Sequence, residues 1–466
     1  MSKRKKIILE NILIENYAAE GKCIGRHNDK VIFVEGVVPG DVATVFLQKN
    51  KKDWAQGVAN KITTYAENRV EPFCAHFDIC GGCKWQMLPY DLQLKYKEQQ
   101  VKDQLTRIGR IQVGEFLPIK GSERTQLYRN KLEFTFSTKR YLTQKEIHSD
   151  LSIEQNVLGF HAPRLFDKVI DIDTCYLQQE PTNAIKNFVR EYAYSHELSF
   201  HDFKNHTGLL RNLIIRISSM QQILINLVFG ENENEKIQEM MLAIKNKFPE
   251  ITSLNYTINT KMNDTIYDLE VVNYSGKNYI EEKLEEFIFK ISPKSFFQTN
   301  TYQAEELYRV VRDFAGCTGN EILYDLYCGT GSIGIFLSKN VQKIIGVETV
   351  EDAIKDARIN AERNNLSNTH FYTGDVIKIC DDAFFTEHGK PDIVIIDPPR
   401  AGCHEKLITK LLEIKAPRIV YVSCNPATQA RDLSLLQAHY DMLKSQAVDM
   451  FPHTHHVENV VLLQLK

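Results

Sequence analysis

Between residues 322 and 422, four apolar runs alternate with helical stretches, and that alternation leaves this part of the chain little choice of fold. The runs cover 322–326, 343–347, 393–396 and 419–422, and the stretches between them 333–339, 351–364 and 406–414. Strands that are apolar throughout, rather than at every second residue, are covered on both faces, as parallel strands between helices are. The pattern predicts a doubly wound, Rossmann-like α/β domain with its ligands at the carboxyl ends of the strands. A further run at 460–465, broken only by Gln464, reads as one more strand of the same sheet.

The first run ends in Asp325-Leu326-Tyr327-Cys328-Gly329-Thr330-Gly331-Ser332. Gly329 and Gly331 let the backbone turn tightly and approach a ligand closely. Dinucleotide-binding folds use a related turn, so the turn alone does not discriminate. Glu348, at the end of the next strand, is placed to accept hydrogen bonds from a ribose diol, and Asp375 fits an adenine amine. Two features have no place in a dehydrogenase: Cys424 in Ser423-Cys424-Asn425-Pro426, and the turn Asp397-Pro398-Pro399-Arg400. A cysteine at a strand end is a candidate nucleophile. Methyl transfer to nitrogen or oxygen needs no covalent catalyst, whereas transfer to C5 of a pyrimidine does, because a thiolate must first add to the ring. The expectation is S-adenosylmethionine as cofactor and a pyrimidine as acceptor. In the Asp397 turn two prolines fix the backbone and let the carboxylate face the site. Enzymes acting on exocyclic amines follow such a turn with an aromatic residue, and Arg400 stands there instead.

The chain's 466 residues allow two or three domains. Residues 1–66 carry short β-type runs at 7–14, 30–38, 42–46 and 55–62, which predict an OB-type β-barrel. Residues 67–290 read as a mixed α+β segment, with a charged helix at 92–108, a strand at 128–136, a hairpin from 212–217 and 222–229, and a helix at 234–247. Residues 291–466 form the α/β domain. The net charge of -3 excludes a polycation, so nucleic acid would be met by local patches such as Lys3-Arg4-Lys5-Lys6, or Lys49, Lys51 and Lys52. No run is long enough to span a bilayer, and Glu10 and Glu15 interrupt any signal-peptide core. A cytoplasmic protein without membrane contact is expected, a monomer by default, with no obligate protein partner. In that compartment the ten cysteines are thiols or metal ligands rather than disulfides.

Cys74, Cys80 and Cys83 form a C-x5-C-G-G-C pattern, and Cys175 follows in Asp173-Thr174-Cys175-Tyr176. Four thiolates suit zinc or an iron–sulfur cluster. Structural zinc more often uses two C-x2-C pairs, and Gly81 and Gly82 leave room for a bulky cluster. The residues favour iron–sulfur and leave zinc open.

These motifs, together with Phe296-Phe297-Gln298-Thr299-Asn300 and Phe451-Pro452-His453-Thr454-His455-His456-Val457-Glu458, resemble the RNA uracil-C5 methyltransferase family in its 23S ribosomal RNA type. The first segment resembles the TRAM domain, an RNA-binding barrel, through Gly21-Lys22-Cys23-Ile24-Gly25-Arg26, Val31-Ile32-Phe33-Val34 and Val38-Pro39-Gly40-Asp41. The resemblance spans essentially the whole chain. It implies that Cys424 adds to C6 of a uracil, that C5 takes the methyl group, and that Glu458 removes the C5 proton. It implies that Gln298, Tyr327, Glu348 and Asp397 bind the methyl donor, with Ser332 and Asp375 at further matching positions; serine is shorter than the asparagine of some members. It implies a [4Fe-4S] cluster on Cys74, Cys80, Cys83 and Cys175. His455 and His456 could tune Glu458 or touch RNA. Arg129, Lys131 and Phe134 could line the RNA path, although packing is the expected use of Phe134. Cys317, Cys328, Cys380 and Cys403 are expected to pack. Bacterial tRNA-acting members generally lack both barrel and cysteines, which favours 23S ribosomal RNA. The alternatives are a tRNA uracil-C5 enzyme, an RNA cytosine-C5 enzyme, and an RNA-binding module with a vestigial enzyme domain.

Overall fold

The computed structural model describes residues 7–150 and 152–466; the basic cluster Lys3-Arg4-Lys5-Lys6 lies outside the described residues. Strands β1 (Ile8–Tyr17), β2 (Cys23–His27), β3 (Lys30–Glu35), β4 (Val42–Asn50) and β5 (Trp54–Thr64) close into a barrel in the order β1-β2-β3-β5-β4. Ile12, Ile14, Cys23, Ile32, Val34 and Val45 point into it and form its core. The four strands expected from sequence are present, and the glycine motif at Cys23–Gly25 supplies the fifth. Buried Asp41, in the turn before β4, accepts from the backbone N–H of Val38 at 2.8 Å and of Ala66 at 2.9 Å. It also pairs with Arg69 at 3.0 Å, tying the barrel to the segment that follows.

That segment, 65–89, contains no helix or strand and carries Cys74, Cys80 and Cys83. Helix α1 (Tyr90–Asp103) runs on into a single π-helical turn, Gln104–Ile108. Strand β6 (Val113–Lys120) then pairs in parallel with a strand at the far end of the chain. Residues 113–120 fall by sequence in the middle segment, yet their hydrogen bonds belong to the C-terminal sheet. Gly114 and Pro118 weaken the local strand signal, and an edge position tolerates both.

The middle of the chain contains β7 (Lys131–Ser137), α2 (Gln144–Ile147), β8 (Val157–Ala162), β9 (Leu165–Asp171), α3 (Thr182–Ser195), β10 (Leu210–Ile217), β11 (Ile223–Phe229), α4 (Asn234–Lys247), β12 (Ser253–Ile258) and β13 (Val271–Gly276). The strands form one sheet, β13-β12-β11-β10-β7-β8-β9. Ile185 and Val189 of α3 and Met240 and Met241 of α4 pack into its core. Phe134 is fully buried and stacks on Phe160 at 4.9 Å, so it packs rather than meeting RNA.

The remainder holds the hairpin β14 (Ile280–Leu284) and β15 (Phe287–Ile291), then α5 (Thr301–Ala315), β16 (Ile322–Leu326), α6 (Ser332–Leu337), β17 (Lys343–Glu348), α7 (Glu351–Arg363), β18 (Thr369–Thr373), α8 (Val376–Ile379), α9 (Asp382–His388), β19 (Ile393–Ile396), α10 (Glu405–Ile414), β20 (Arg418–Ser423), α11 (Pro426–Leu436), β21 (Tyr440–Val448) and β22 (Glu458–Leu465). Its sheet runs β18-β17-β16-β19-β20-β22-β21-β6. The first five strands are parallel, and β22 is inserted antiparallel between β20 and β21. Separate apolar cores cover its two faces. Chain order reverses between β16 and β19, and that switch point opens a crevice at the carboxyl ends of the strands. Among the described residues, no helix is long and apolar enough to cross a membrane.

Candidate active site

Strand ends set the site residues in a row along one rim of this sheet. Asp375 follows β18, Glu348 ends β17, Tyr327 follows β16, Asp397 follows β19 and Cys424 follows β20. Glu458 opens β22, the next strand over, and because that strand is antiparallel its first residue lies on the same rim. Ser423 pairs with Asn459, the last pair of this ladder, so Cys424 and Glu458 are the next residues beyond it on the two strands. Glu458 lies close enough to Cys424 for its charge to raise the thiol.

The glycine turn is shaped as the sequence predicts. Gly329 and Gly331 have φ of 53° and 75°, and Tyr327 shares the left-handed conformation at 63°. A Cβ on Gly331 would meet the Phe371 ring at 2.7 Å, so glycine is required there. Glu348 braces the glycine turn and the two residues before α7, accepting from the N–H of Thr349 at 2.7 Å, of Val350 at 3.0 Å and of Gly329 at 3.4 Å. Asp375 caps α8 through the N–H of Ile377 at 3.0 Å. Ser332 opens α6, and its hydroxyl meets that of Tyr308 at 2.8 Å. Gln298 lies in the loop before α5, where its carbonyl accepts from Asn130 Nδ2 at 2.9 Å.

Electrostatically the rim is an acid cluster with little to neutralise it. Asp325 is buried, and burial pushes its carboxyl up to about 7, with Asp397 and Glu348 adding to the rise. Its Oδ2 accepts from the N–H of Gly334 at 2.9 Å, whereas Oδ1 has no partner. Asp397 keeps some solvent contact, but the protein mass around it still raises it to about 7. Glu458 is 6% exposed and is raised to about 8 by burial and by Asp397, with Arg400 pulling the other way. Burial, Glu458 and Asp397 together lift the Cys424 thiol to about 11, again against Arg400. Carboxyls crowded and buried in this way favour a positive charge placed among them. The open turn, the orphaned Asp325 oxygen and these acids fit a nucleoside that carries a sulfonium.

Sequence reading missed Asp325 and Tyr308 as members of the site. Asp325 was visible as the first residue of the glycine motif, but its unpaired oxygen was not. Tyr308 is buried on α5 among Asp397, Asp325 and Glu458, where helical spacing reads simply as core. Half-buried His455 and His456 are pushed down to about 3 and 4 by burial, so they stand neutral beside the rim. The Arg129 guanidinium lies 5.7 Å from the Phe451 ring, and Lys131 pairs with Glu133 at 3.4 Å. Cys328, Cys380 and Cys403 are buried and Cys317 packs against the core, as expected.

The four cysteines lie away from the rim in sequence but near one another. Cys74, Cys80 and Cys83 sit in the irregular segment and Cys175 in the turn after β9, and all four are free thiols. Burial lifts Cys83 to about 12 and Cys175 to about 11, with neighbouring thiols of the set adding to both shifts. The thiols therefore gather, yet among the described residues no three His, Cys, Asp or Glu side chains stand close enough to share one metal ion.

By strand order and by where its acids fall, the α/β region is a methyltransferase domain of the S-adenosylmethionine-dependent class. Residues 210–466 match the family model of the tRNA (uracil-5-)-methyltransferases, and residues 10–59 match the TRAM domain. An RNA methyltransferase of Bacteroides thetaiotaomicron is 50% identical over 453 residues, covering 96% of this chain and all of that protein. One from Porphyromonas gingivalis is 50% identical over 458 residues, covering 97% and 98% of the two chains. The crystal structure of the Pyrococcus abyssi tRNA (uracil-54, C5)-methyltransferase, in complex with S-adenosyl-L-homocysteine, superposes with a TM-score of 0.75 at 29% identity; the match covers 98% of this chain and 100% of that one. The chain belongs to the tRNA (uracil-5-)-methyltransferase family, and it is an S-adenosylmethionine-dependent RNA methyltransferase of the uracil-C5 type.

Proposed function

We propose that Cys424 and Glu458 make C5 of a uridine reactive from the two sides of the β20–β22 pair. One observation carries the reading: the β20–β22 ladder ends just short of Cys424 and Glu458, bringing thiol and carboxyl together on the rim where the acids gather. Cys424 Sγ bonds to C6, the C5–C6 double bond opens, and negative charge moves to C5 and the C4 carbonyl. S-adenosylmethionine, when bound, supplies an electrophilic methyl group on sulfur. Once C5 carries the methyl, Glu458 takes the C5 proton, the double bond re-forms and the C6–S bond breaks, releasing the thiolate. With the Cys424 thiol at about 11, almost none is ionised at neutral pH, so its proton passes to solvent water as the sulfur attacks, and the Arg400 charge favours the thiolate that forms. With its carboxyl at about 8, Glu458 is mostly protonated at neutral pH, so the ionised fraction acts, and that fraction is a stronger base than an ordinary glutamate for a proton acidified by the adjacent carbonyl.

Gln298, Tyr327, Ser332, Glu348, Asp375 and Asp397 hold the donor in this reading, with Glu348 on the ribose diol and Asp375 on the adenine amine. Cys74, Cys80, Cys83 and Cys175 hold a [4Fe-4S] cluster. The C-x5-C-G-G-C spacing and the neighbouring thiols of the set support this reading. The barrel joined to the cysteine set supports 23S ribosomal RNA as the substrate. A tRNA substrate is the second reading, favoured by the full-length match to the Pyrococcus abyssi enzyme.

The test is incubation with labelled S-adenosylmethionine and RNA containing 5-fluorouridine. Fluorine at C5 cannot be abstracted as a proton, so the enzyme should be trapped covalently through Cys424. Label without trapping, entering cytosine, would overturn the uridine reading. Parallel reactions on 23S ribosomal RNA and on tRNA transcripts decide between the two substrates by which one takes up label.

A further inference from the structure

Residues 451–457, which lead into Glu458, are gripped from several sides, and much of the grip falls on one residue. His453 has φ of 63°, a conformation that a non-glycine residue keeps where its surroundings enforce it. Its carbonyl accepts from the N–H of Lys84 at 2.8 Å and of Trp85 at 3.0 Å. Its own N–H donates to Gln93 Oε1 at 2.8 Å, and its Nδ1 faces Gln93 Nε2 at 3.2 Å. Gln93 is fully buried, and its amide also donates to the carbonyls of Trp85 and Leu88. Phe73 sets an edge-on contact with the His453 ring at 5.1 Å and another with Tyr176 at 5.5 Å.

These partners border the cysteines. Phe73 precedes Cys74, Lys84 follows Cys83, and Tyr176 follows Cys175. Tyr128 makes a second link. The N–H groups of its neighbours Leu127 and Arg129 donate to the carbonyls of Tyr176 and Leu177 at 2.9 and 2.7 Å, and its own hydroxyl donates to the Pro452 carbonyl at 3.1 Å. From α1, Lys97 donates to the Phe451 carbonyl at 3.1 Å and pairs with Asp449 at 2.6 Å, both side chains without solvent contact. The loop is also braced internally: Thr454 Oγ1 donates to the Phe451 carbonyl at 2.8 Å and accepts from the His456 N–H at 3.2 Å. A displacement at His453 is therefore passed towards Glu458 rather than absorbed.

We propose that the residues bordering Cys74, Cys83 and Cys175 form a clamp on this loop, with His453, Gln93 and Tyr128 as positioning residues that set where Glu458 stands relative to Cys424. The inference rests on Glu458 acting as the base. It gives the cysteine segments a part in proton removal although none of them reaches the reacting atoms. A misplacement of about 1 Å in such a group can cost ~100-fold in rate.

Tyr128→Phe removes one hydrogen bond and almost no volume; Gln93→Leu removes the side-chain partners of His453. Each variant is mixed with S-adenosylmethionine and uridine-containing RNA, and methyl turnover is followed together with the covalent protein–RNA adduct on denaturing gels. The clamp predicts turnover ~10-fold lower for Tyr128→Phe and lower still for Gln93→Leu. The adduct should occupy a larger fraction of either variant than of the wild type, because Cys424 still adds while the proton stays. Trapping by 5-fluorouridine RNA should keep its wild-type rate. Unchanged turnover, or turnover and trapping falling together, would overturn the clamp. Should Gln93→Leu fail to fold, Tyr128→Phe decides alone. A wild-type enzyme that does not trap 5-fluorouridine RNA would instead remove the uridine reading beneath it.

Discussion

The rim of the α/β sheet and the cysteine loops both crowd groups that resist ionising, but they hold them by opposite means. On the rim, burial lifts Asp325 and Asp397 to about 7 and Glu458 to about 8. In the loops it lifts Cys83 to about 12 and Cys175 to about 11. Each region lacks the positive charge that would let its groups ionise. The rim acids are fixed by ladders of strand pairing, which stand whether or not a ligand is present. The cysteines lie in a segment without helix or strand and in one turn. No helix or strand fixes them, so under the proposed cluster their arrangement would depend on it. A rim that is already organised should lose chemistry when a group is removed, and loops organised by their ligand should lose structure.

The largest effects should separate two cysteines. Cys424→Ala should abolish turnover by ~10⁴-fold or more, and end trapping by 5-fluorouridine RNA, while the melting temperature stays within about 2 °C of wild type. Cys80→Ala should do the reverse: less folded protein, and a melting temperature lower by ~5 °C or more, before any specific loss of rate. Wild-type yield, melting and turnover in Cys80→Ala would break the comparison, because packing alone would then be fixing the loops.

Glu458→Gln should lower turnover by ~10²–10⁴-fold and leave covalent adduct standing on ordinary uridine RNA. It should also stabilise the fold in a pH-dependent way. In the folded protein the Glu458 carboxyl sits at about 8, well above its ordinary value. From about pH 4.5 up to pH 8 the folded state therefore holds a proton that the unfolded state has released, and wild-type stability falls over that range. Glutamine has no proton to hold. The variant's advantage should open near pH 5, grow to on the order of 2–3 kcal/mol by neutral pH, and level off above pH 8. Denaturant titrations at pH 5, 7 and 9 measure it, and an advantage independent of pH would place Glu458 in water rather than in the rim.

The same contrast governs how far each region could be read in advance. The largely apolar strands β16, β17, β19 and β20 announced the sheet, and the glycine turn and Cys424 fell at their ends as expected. The last two strands of the sheet left weaker traces. Strand β21 mixes Asp441, Lys444 and Ser445 into its run, and β6 contains Gly114 and Pro118; the two pair with each other across more than three hundred residues. Cys424 and Glu458 were legible as motif residues, but their proximity was not, because it comes from β22 inserting antiparallel beside β20. The spacing of Cys74, Cys80 and Cys83 pointed to a shared centre. The hydrogen bonds that join their segment to His453 cross more than half the chain and leave no pattern in it.

The smallest expected effect tests whether the rim acids favour a positive charge placed among them. Asp325 and Asp397 are half protonated near pH 7, and a positive ligand beside them favours the ionised forms. Binding of S-adenosylmethionine should therefore release protons, and its affinity should rise several-fold between pH 6 and pH 8 and flatten above. S-adenosylhomocysteine has the same nucleoside and amino acid but an uncharged sulfur. Its affinity should climb less steeply over the same range, so the ratio of the two affinities isolates the sulfonium's own interaction with the acids. Calorimetric titration in buffers of differing ionisation enthalpy reads both the affinity and the protons released. Asp397→Asn should flatten the slope for the sulfonium ligand more than for its neutral analogue. Parallel slopes for the two ligands would mean that the protons answer to the amino group or the ribose, and that the acids on the rim do not sense the charge they are proposed to meet.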